Sequence, residues 1–253
     1  MMAEPLVLAA VGGLLIGLLL TLFGGGGSVL ATPWLIYVVG VADTHSAIAT
    51  SAAAVAVNAA TGLAAQARAG RVKWPCASVF AIAGLAGAVI GARLAMEVDG
   101  AVLIRAFGGA MIVIALSMLI PRKTEGDPAV RISWPLVAKL APVGLIAGLA
   151  AGFFGIGGGF LIAPGLMAST GMTLANASAS SLLSVTLFGG GTSATYALQG
   201  QIIWPLFFAL VTGGAVGTMI AMPLLRRIEG RTKLLRIGFA ALVIMVGLYV
   251  MLR

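Results

Sequence analysis

The chain has 253 residues, of which 60% are hydrophobic and only 9% charged, and its mean hydropathy is +1.13. Soluble domains average about 25% charged residues, so this composition excludes a soluble enzyme, a disordered chain and a collagen-like fibre. The net charge of +8 reads as an orientation signal for membrane insertion rather than as a surface for nucleic acid, and no nucleic-acid partner is expected.

A membrane-spanning helix takes about 20 apolar residues. The start, Met1-Met2-Ala3-Glu4, lacks the basic segment of a secretory signal, so the first apolar run is expected to remain in the protein. Apolar runs then follow at 5–22, 29–40, 45–67, 74–96 and 101–120. A charged stretch at 121–134, beginning Pro121-Arg122-Lys123-Thr124-Glu125-Gly126-Asp127-Pro128, reads as a cytoplasmic linker. Further runs lie at 135–153, 160–170, 174–198, 204–225 and 232–252. The runs at 29–40 and 160–170 are too short to cross a bilayer alone, and each follows a glycine cluster.

The runs repeat. Phe23-Gly24-Gly25-Gly26-Gly27-Ser28 through Pro33 matches Phe154-Gly155-Ile156-Gly157-Gly158-Gly159 through Pro164 at an offset of 131. Ala49-Thr50-Ser51 matches Ala179-Ser180-Ser181, and Gly70 with Trp74-Pro75 matches Gly200 with Trp204-Pro205, at 130. Gly13 and Gly17 match Gly144 and Gly148. The organisation expected is a first transmembrane repeat over 1–120, the linker at 121–134 and a second repeat over 135–253. Charge decides their relative orientation. If each half crosses an odd number of times, the loops at 68–73, 121–139 and 226–236 share one face and carry twelve of the fifteen basic residues. An even number of crossings splits the same residues eight to seven. The positive-inside rule therefore favours inverted repeats with both termini outside the cytoplasm. The fold expected is all-α: a polytopic membrane protein of two homologous, inverted helical repeats, each with a glycine-broken short helix.

Glycine clusters inside hydrocarbon are informative, because irregular backbone survives there only where protein or a water-filled cavity surrounds it. Each cluster precedes a short helix, and a helix start presents unpaired N–H groups that suit an anion. Two such starts approaching from opposite sides would cradle an anion without buried Lys or Arg. The substrate-binding candidates are therefore Gly25, Gly26, Gly27 and Ser28 in one half, with Gly157, Gly158 and Gly159 in the other. Hydroxyls and an amide in the third segments, Thr50, Ser51 and Asn58 with Ser180 and Ser181, join them; Thr61, Ser178 and Ser184 lie nearby. Gly13/Gly17, Gly144/Gly148, Gly87/Gly91 and Gly213/Gly217 read instead as helix-packing seams, which are compatible with a homodimer. Cys76, the single cysteine, excludes an internal disulfide and a cysteine-based metal site. His45, the single histidine, reads as a water-facing interfacial residue. Neither a cofactor nor a metal is expected.

The duplicated Phe-Gly-rich motifs through Pro33 and Pro164, each followed by an Ala-Thr-Ser-like segment and a Trp-Pro, resemble those of the TauE/SafE family. The resemblance covers nearly the whole chain. It implies a bacterial inner-membrane, multi-pass permease for sulfite, sulfoacetate or another small sulfur-containing anion, and eight helices in a four-plus-four duplication. The charge count disagrees with a parallel version of that duplication. The second motif carries Ile156 and Gly159 where the first carries Gly25 and Ser28, so the two half-sites differ. The expected function is secondary transport, as an exporter working by alternating access; the alternatives are an anion channel and an intramembrane hydrolase. The hydrolase is disfavoured by the absence of Gly-x-Ser-x-Gly and His-Glu-x-x-His motifs.

Overall fold

A computed structural model describes residues 3–23, 26–119, 126–127, 130, 132–155, 159–228 and 232–252. The candidates Gly25, Gly157 and Gly158, and most of the linker, lie outside the described residues. The described chain is helical: α1 (Ala3–Phe23), α2 (Gly26–Val39), α3 (Thr44–Arg68), α4 (Trp74–Met96), α5 (Gly100–Leu119), α6 (Trp134–Phe154), α7 (Gly159–Thr170), α8 (Leu174–Ala197), α9 (Trp204–Ile228) and α10 (Thr232–Leu252). Among the described residues each half thus carries four helices of 20 residues or more and one short one. Five helices among the described residues, α1, α3, α4, α6 and α9, are long and apolar enough to cross a membrane. The chain is a multi-pass membrane protein, and its outer face suits lipid: Ile82, Val113, Ile146 and Met219 are 67–74% exposed, an apolar exterior that water would not tolerate in bulk.

Local chemistry sets the helix ends. Proline follows tryptophan in the first turn of α4 and α6, where its missing N–H costs no hydrogen bond; Trp204-Pro205 opens α9 in the same way. Asp43 caps α3 by accepting from the His45 and Ser46 N–H groups, and Thr173 caps α8 by accepting from Asn176 N–H. The duplication extends to backbone conformation. Gly40 and Gly171 take φ of +85° and +72°, and Gly70 and Gly200 take +68° and +70°, a left-handed turn that glycine adopts without a Cβ penalty.

The halves interlock. α1 packs on α9, and α4 packs on α6, so the first helix of each half seats against the fourth helix of the other. Both seams are built from glycine. Gly13 and Gly17 of α1 lie against the carbonyls of Leu210 and Gly214, and Gly213 and Gly217 against those of Ala10 and Leu14. In the other seam Gly144, Gly148 and Gly152 lie against the carbonyls of Phe80, Gly84 and Ala88. A side chain at any of these positions would strike backbone. In lipid, where apolar burial between helices gains little, close approach and dispersion hold such seams together. Residue numbers climb together across both seams, so α1 runs parallel to α9 and α4 parallel to α6. Equivalent helices behave differently. His45, Ala52 and Gly62 of α3 meet Tyr196, Gly189 and Leu182 of α8, and Gly108 and Ile112 of α5 meet Met251 and Gly247 of α10. One series rises as the other falls: α3 is antiparallel to α8, and α5 to α10.

Candidate functional site

The buried polar side chains gather on α3 and α8 and on the elements beside them. Among the described residues they are hydroxyls and one amide: Thr21, Ser28, Thr32, Thr50, Ser51, Asn58, Ser180, Ser181, Ser184, Thr192 and Thr218. None is charged, so any anion held there meets dipoles rather than a lysine or arginine. No group of His, Cys, Asp or Glu among the described residues is placed to hold a metal ion.

α2 starts as a tight 3-10 turn at Gly26–Leu30, continues through one α-helical turn at Ala31–Trp34 and ends in a π-helical turn at Leu35–Val39. Gly26, Gly27 and Ser28 are buried. Gly27 packs on Leu19 and Leu20, so its missing side chain lets α2 double back against α1. This start also lies against α7, which begins at Gly159. The two helices that follow the glycine clusters therefore touch, and they begin by different means: one as a 3-10 turn, the other as an α-helix.

Ser51 ties α2 to α3. Its hydroxyl pairs with that of Thr32 at 2.8 Å and reaches the Ile48 carbonyl at 3.1 Å. The equivalent Ser181 donates to the Ser178 carbonyl at 2.8 Å, and Ala163 stands in α7 where Thr32 stands in α2. Thr50 and Ser180 do matching work at a distance from that pair. The Ile203 N–H donates to Thr50 Oγ1 at 3.0 Å, and the Lys73 N–H donates to Ser180 Oγ at 2.9 Å. Each hydroxyl thus receives the N–H just before a Trp-Pro helix of the opposite half. Because α3 and α8 are antiparallel, the two bonds sit at opposite ends of the bundle, and these residues hold the halves in register.

Asn58 lies in the seam between α3 and α9, its amide occupying the space over Gly214 and donating to the Leu210 carbonyl at 3.3 Å. Its Oδ1 is buried without a partner. That oxygen can only accept a hydrogen bond. Among the described residues five further buried hydroxyls lack partners, those of Ser169, Ser184, Thr192, Tyr196 and Thr218. Helical hydroxyls elsewhere in this protein donate one turn back, as Thr21, Thr170, Thr186 and Thr195 do. An orphaned buried hydroxyl costs roughly 1–3 kcal/mol and calls for an explanation. Ser184 is wholly buried near the middle of α8. Thr32, Thr192 and Thr218 were not singled out by sequence; Thr32 alone carried a signal there, lying immediately before Pro33 in the repeated motif.

His45 is half-buried. Its ring lies 6.0 Å from that of Tyr196, and its Nδ1 is buried. Beside it, burial would raise the Asp43 carboxyl, but hydrogen bonds from Ser46 Oγ and from the Ser46 and His45 N–H groups outweigh it and hold its pKa below the usual 3.8.

Comparison with known proteins agrees with this architecture. A family model described as "Sulfite exporter TauE/SafE" matches residues 9–250. A "Probable membrane transporter protein" of Xylella fastidiosa strain Temecula1 is 41% identical over 258 residues, covering 100% of this chain and 97% of the relative. A "Probable membrane transporter protein YunE" of Bacillus subtilis strain 168 is 24% identical over 247 residues, covering 89% of this chain and 90% of the relative. No solved structure matches.

Proposed function

The chain belongs to the TauE/SafE family and is a membrane transporter rather than an enzyme, and from that premise we propose that it exports a small sulfur-containing anion such as sulfite or sulfoacetate across the bacterial inner membrane by alternating access. The observation that carries the anion reading is the Ser184 hydroxyl: wholly buried, without a partner and half-way along α8, at the depth where secondary transporters bind their substrates. The anion sits between α2 and α7, taking backbone N–H groups of the glycine clusters and the hydroxyl of Ser184. A site of neutral donors binds an oxyanion and also lets it go, which a buried lysine would hinder.

The halves are inverted repeats. The antiparallel runs of α3 against α8 and of α5 against α10 support this reading, since helices equivalent by sequence point in opposite directions. In this arrangement Arg68, Arg71 and Lys73 share the cytoplasmic face with Lys139 and with the linker, while both termini lie outside. One bundle rocks against the other about the fixed site.

The test is flux into proteoliposomes of sulfite, thiosulfate, sulfate, sulfoacetate and taurine at two pH values. Saturable flux of a sulfur oxyanion, with KM raised about tenfold in Ser184→Ala through loss of one hydrogen bond, is the expected result. Non-saturating flux would identify a channel, and no flux of any of the five would reject the substrate class.

A further inference from the structure

We propose that the seam between α3 and α9 holds a monovalent cation, of the size of sodium, that is the coupling ion of transport. The inference rests on the transporter reading for its purpose, but not for its site.

Two buried side chains make the site. Asn58 is 1% exposed and Thr218 5% exposed, and Asn58 Oδ1 and Thr218 Oγ1 have no partner. Helix geometry puts both on the same seam. The Asn58 amide lies over Gly214, and Thr218 follows Gly214 by four residues, one turn further along the same face of α9. The orientation of the Asn58 amide is fixed by chemistry: its Nδ2 donates to the Leu210 carbonyl, which leaves the acceptor oxygen free. Thr218 does not use the usual acceptor, the carbonyl of residue 214, which is covered by Gly17 of α1. The seam therefore presents a carbonyl oxygen and a hydroxyl oxygen to whatever lies between them.

The equivalent seam in the other half is apolar. Phe188 stands where Asn58 stands, lies against Gly84 as Asn58 lies against Gly214, and stacks on Phe80 with ring centroids 6.4 Å apart. Ala88, fully buried, takes the place of Thr218. Helix packing alone is satisfied by the apolar version, so the polar pair is an addition made on one side only. Polar side chains within a membrane are costly and mark ion or substrate pathways. A free carbonyl oxygen accepts a cation and rejects an oxyanion, and neutral oxygens without a carboxylate suit a single positive charge.

Purified wild-type protein in detergent is melted in sodium chloride and in choline chloride at equal ionic strength. The expected result is a melting temperature that rises saturably with sodium. In Thr218→Ala, whose alanine the equivalent seam already accommodates, the half-maximal sodium concentration rises about tenfold, as when a metal site loses part of its support. Asn58→Leu abolishes the response, and Gly109→Ala, remote from the seam, retains it. Identical melting of the wild type in the two salts shows a buried water only and overturns the proposal, as does a sodium response untouched in Thr218→Ala. The melting assay needs no anion. A sodium response without flux of any sulfur anion rejects the transport substrate and leaves the cation site standing.

Discussion

Thr50 Oγ1 accepts the N–H of Ile203, 153 residues away in the chain, and the bond has a twin in Ser180 and Lys73. Together they pin each half's third helix to the start of the other half's fourth. Loss of a helix-start acceptor costs about 1 kcal/mol. Thr50→Ala and Ser180→Ala are each expected to lower the melting temperature by about 2–4 °C for a chain of this size. Because the bonds lie at opposite ends of the bundle, the double variant is expected to show the sum of the two losses. Circular dichroism melts of the three variants check this; a double variant no worse than either single one contradicts it.

The glycine seams predict a sharp difference between neighbouring glycines. A side chain at Gly148 or Gly17 meets backbone carbonyl of the facing helix, which cannot move aside as a side chain would. Gly148→Val and Gly17→Val are each expected to cost more than the roughly 1–3 kcal/mol of ordinary overpacking, seen as loss of the monodisperse peak in size-exclusion chromatography. Gly190 is the contrast, with nothing within 4 Å of the place a methyl group would take. Gly190→Ala is expected to stabilise by about 0.5–1 kcal/mol through the gain in helix preference.

Asp43 gives a pH dependence with a definite sign. Its carboxyl is held below its ordinary pKa by hydrogen bonds from Ser46 and His45 that outweigh the effect of burial. A depressed carboxyl stabilises the folded state above the unfolded pKa, and that contribution disappears as pH falls through the folded value. Asp43→Ala is therefore expected to melt lower than the wild type at neutral pH, by an amount corresponding to about 1 kcal/mol for a lost cap. The difference is expected to close in acid, below pH 3.8. A gap that stays constant well below that pH contradicts the assignment.

The proposed inversion of the repeats predicts opposite accessibility at equivalent positions. Ala69 and Gln199, 130 residues apart and both exposed, occupy the same place in the two halves. In a Cys76→Ala background, Ala69→Cys is expected to resist a membrane-impermeant thiol reagent added to intact cells, and Gln199→Cys to react. Equal labelling of both sites contradicts the inversion.

The helices themselves were written plainly in the sequence. Trp-Pro pairs open α4 and α9, Asp43 and Thr173 open α3 and α8, and glycines close the turns at 40, 70, 171 and 200, all of them local signals with a local physical cause. The packing role of the seam glycines was also legible, whereas Gly27, read as part of a binding cluster, serves a close approach to α1. What the sequence did not show was partnership. Thr50 read as a candidate ligand, and nothing in the sequence announced that its oxygen also accepts the N–H of Ile203, because no periodicity joins residues 153 positions apart. Asn58 read the same way, since only the packing on Gly214 reveals which of its atoms is left free. Thr218 looked like one more hydroxyl in an apolar run, and only the covering of its usual acceptor by Gly17 distinguishes it.

The crossing of α1 onto α9 and of α6 onto α4 has a consequence for biogenesis. During synthesis α1 enters the membrane long before α9 exists, and its glycine stripe must wait in lipid with no mate until about four-fifths of the chain has been made. The first half, produced alone, would leave the glycine faces of both α1 and α4 unpaired, so neither half is a self-sufficient folding unit. Assembly is accordingly a late event, governed by the emergence of α9, and a truncation that stops short of it forfeits more than the segment it removes.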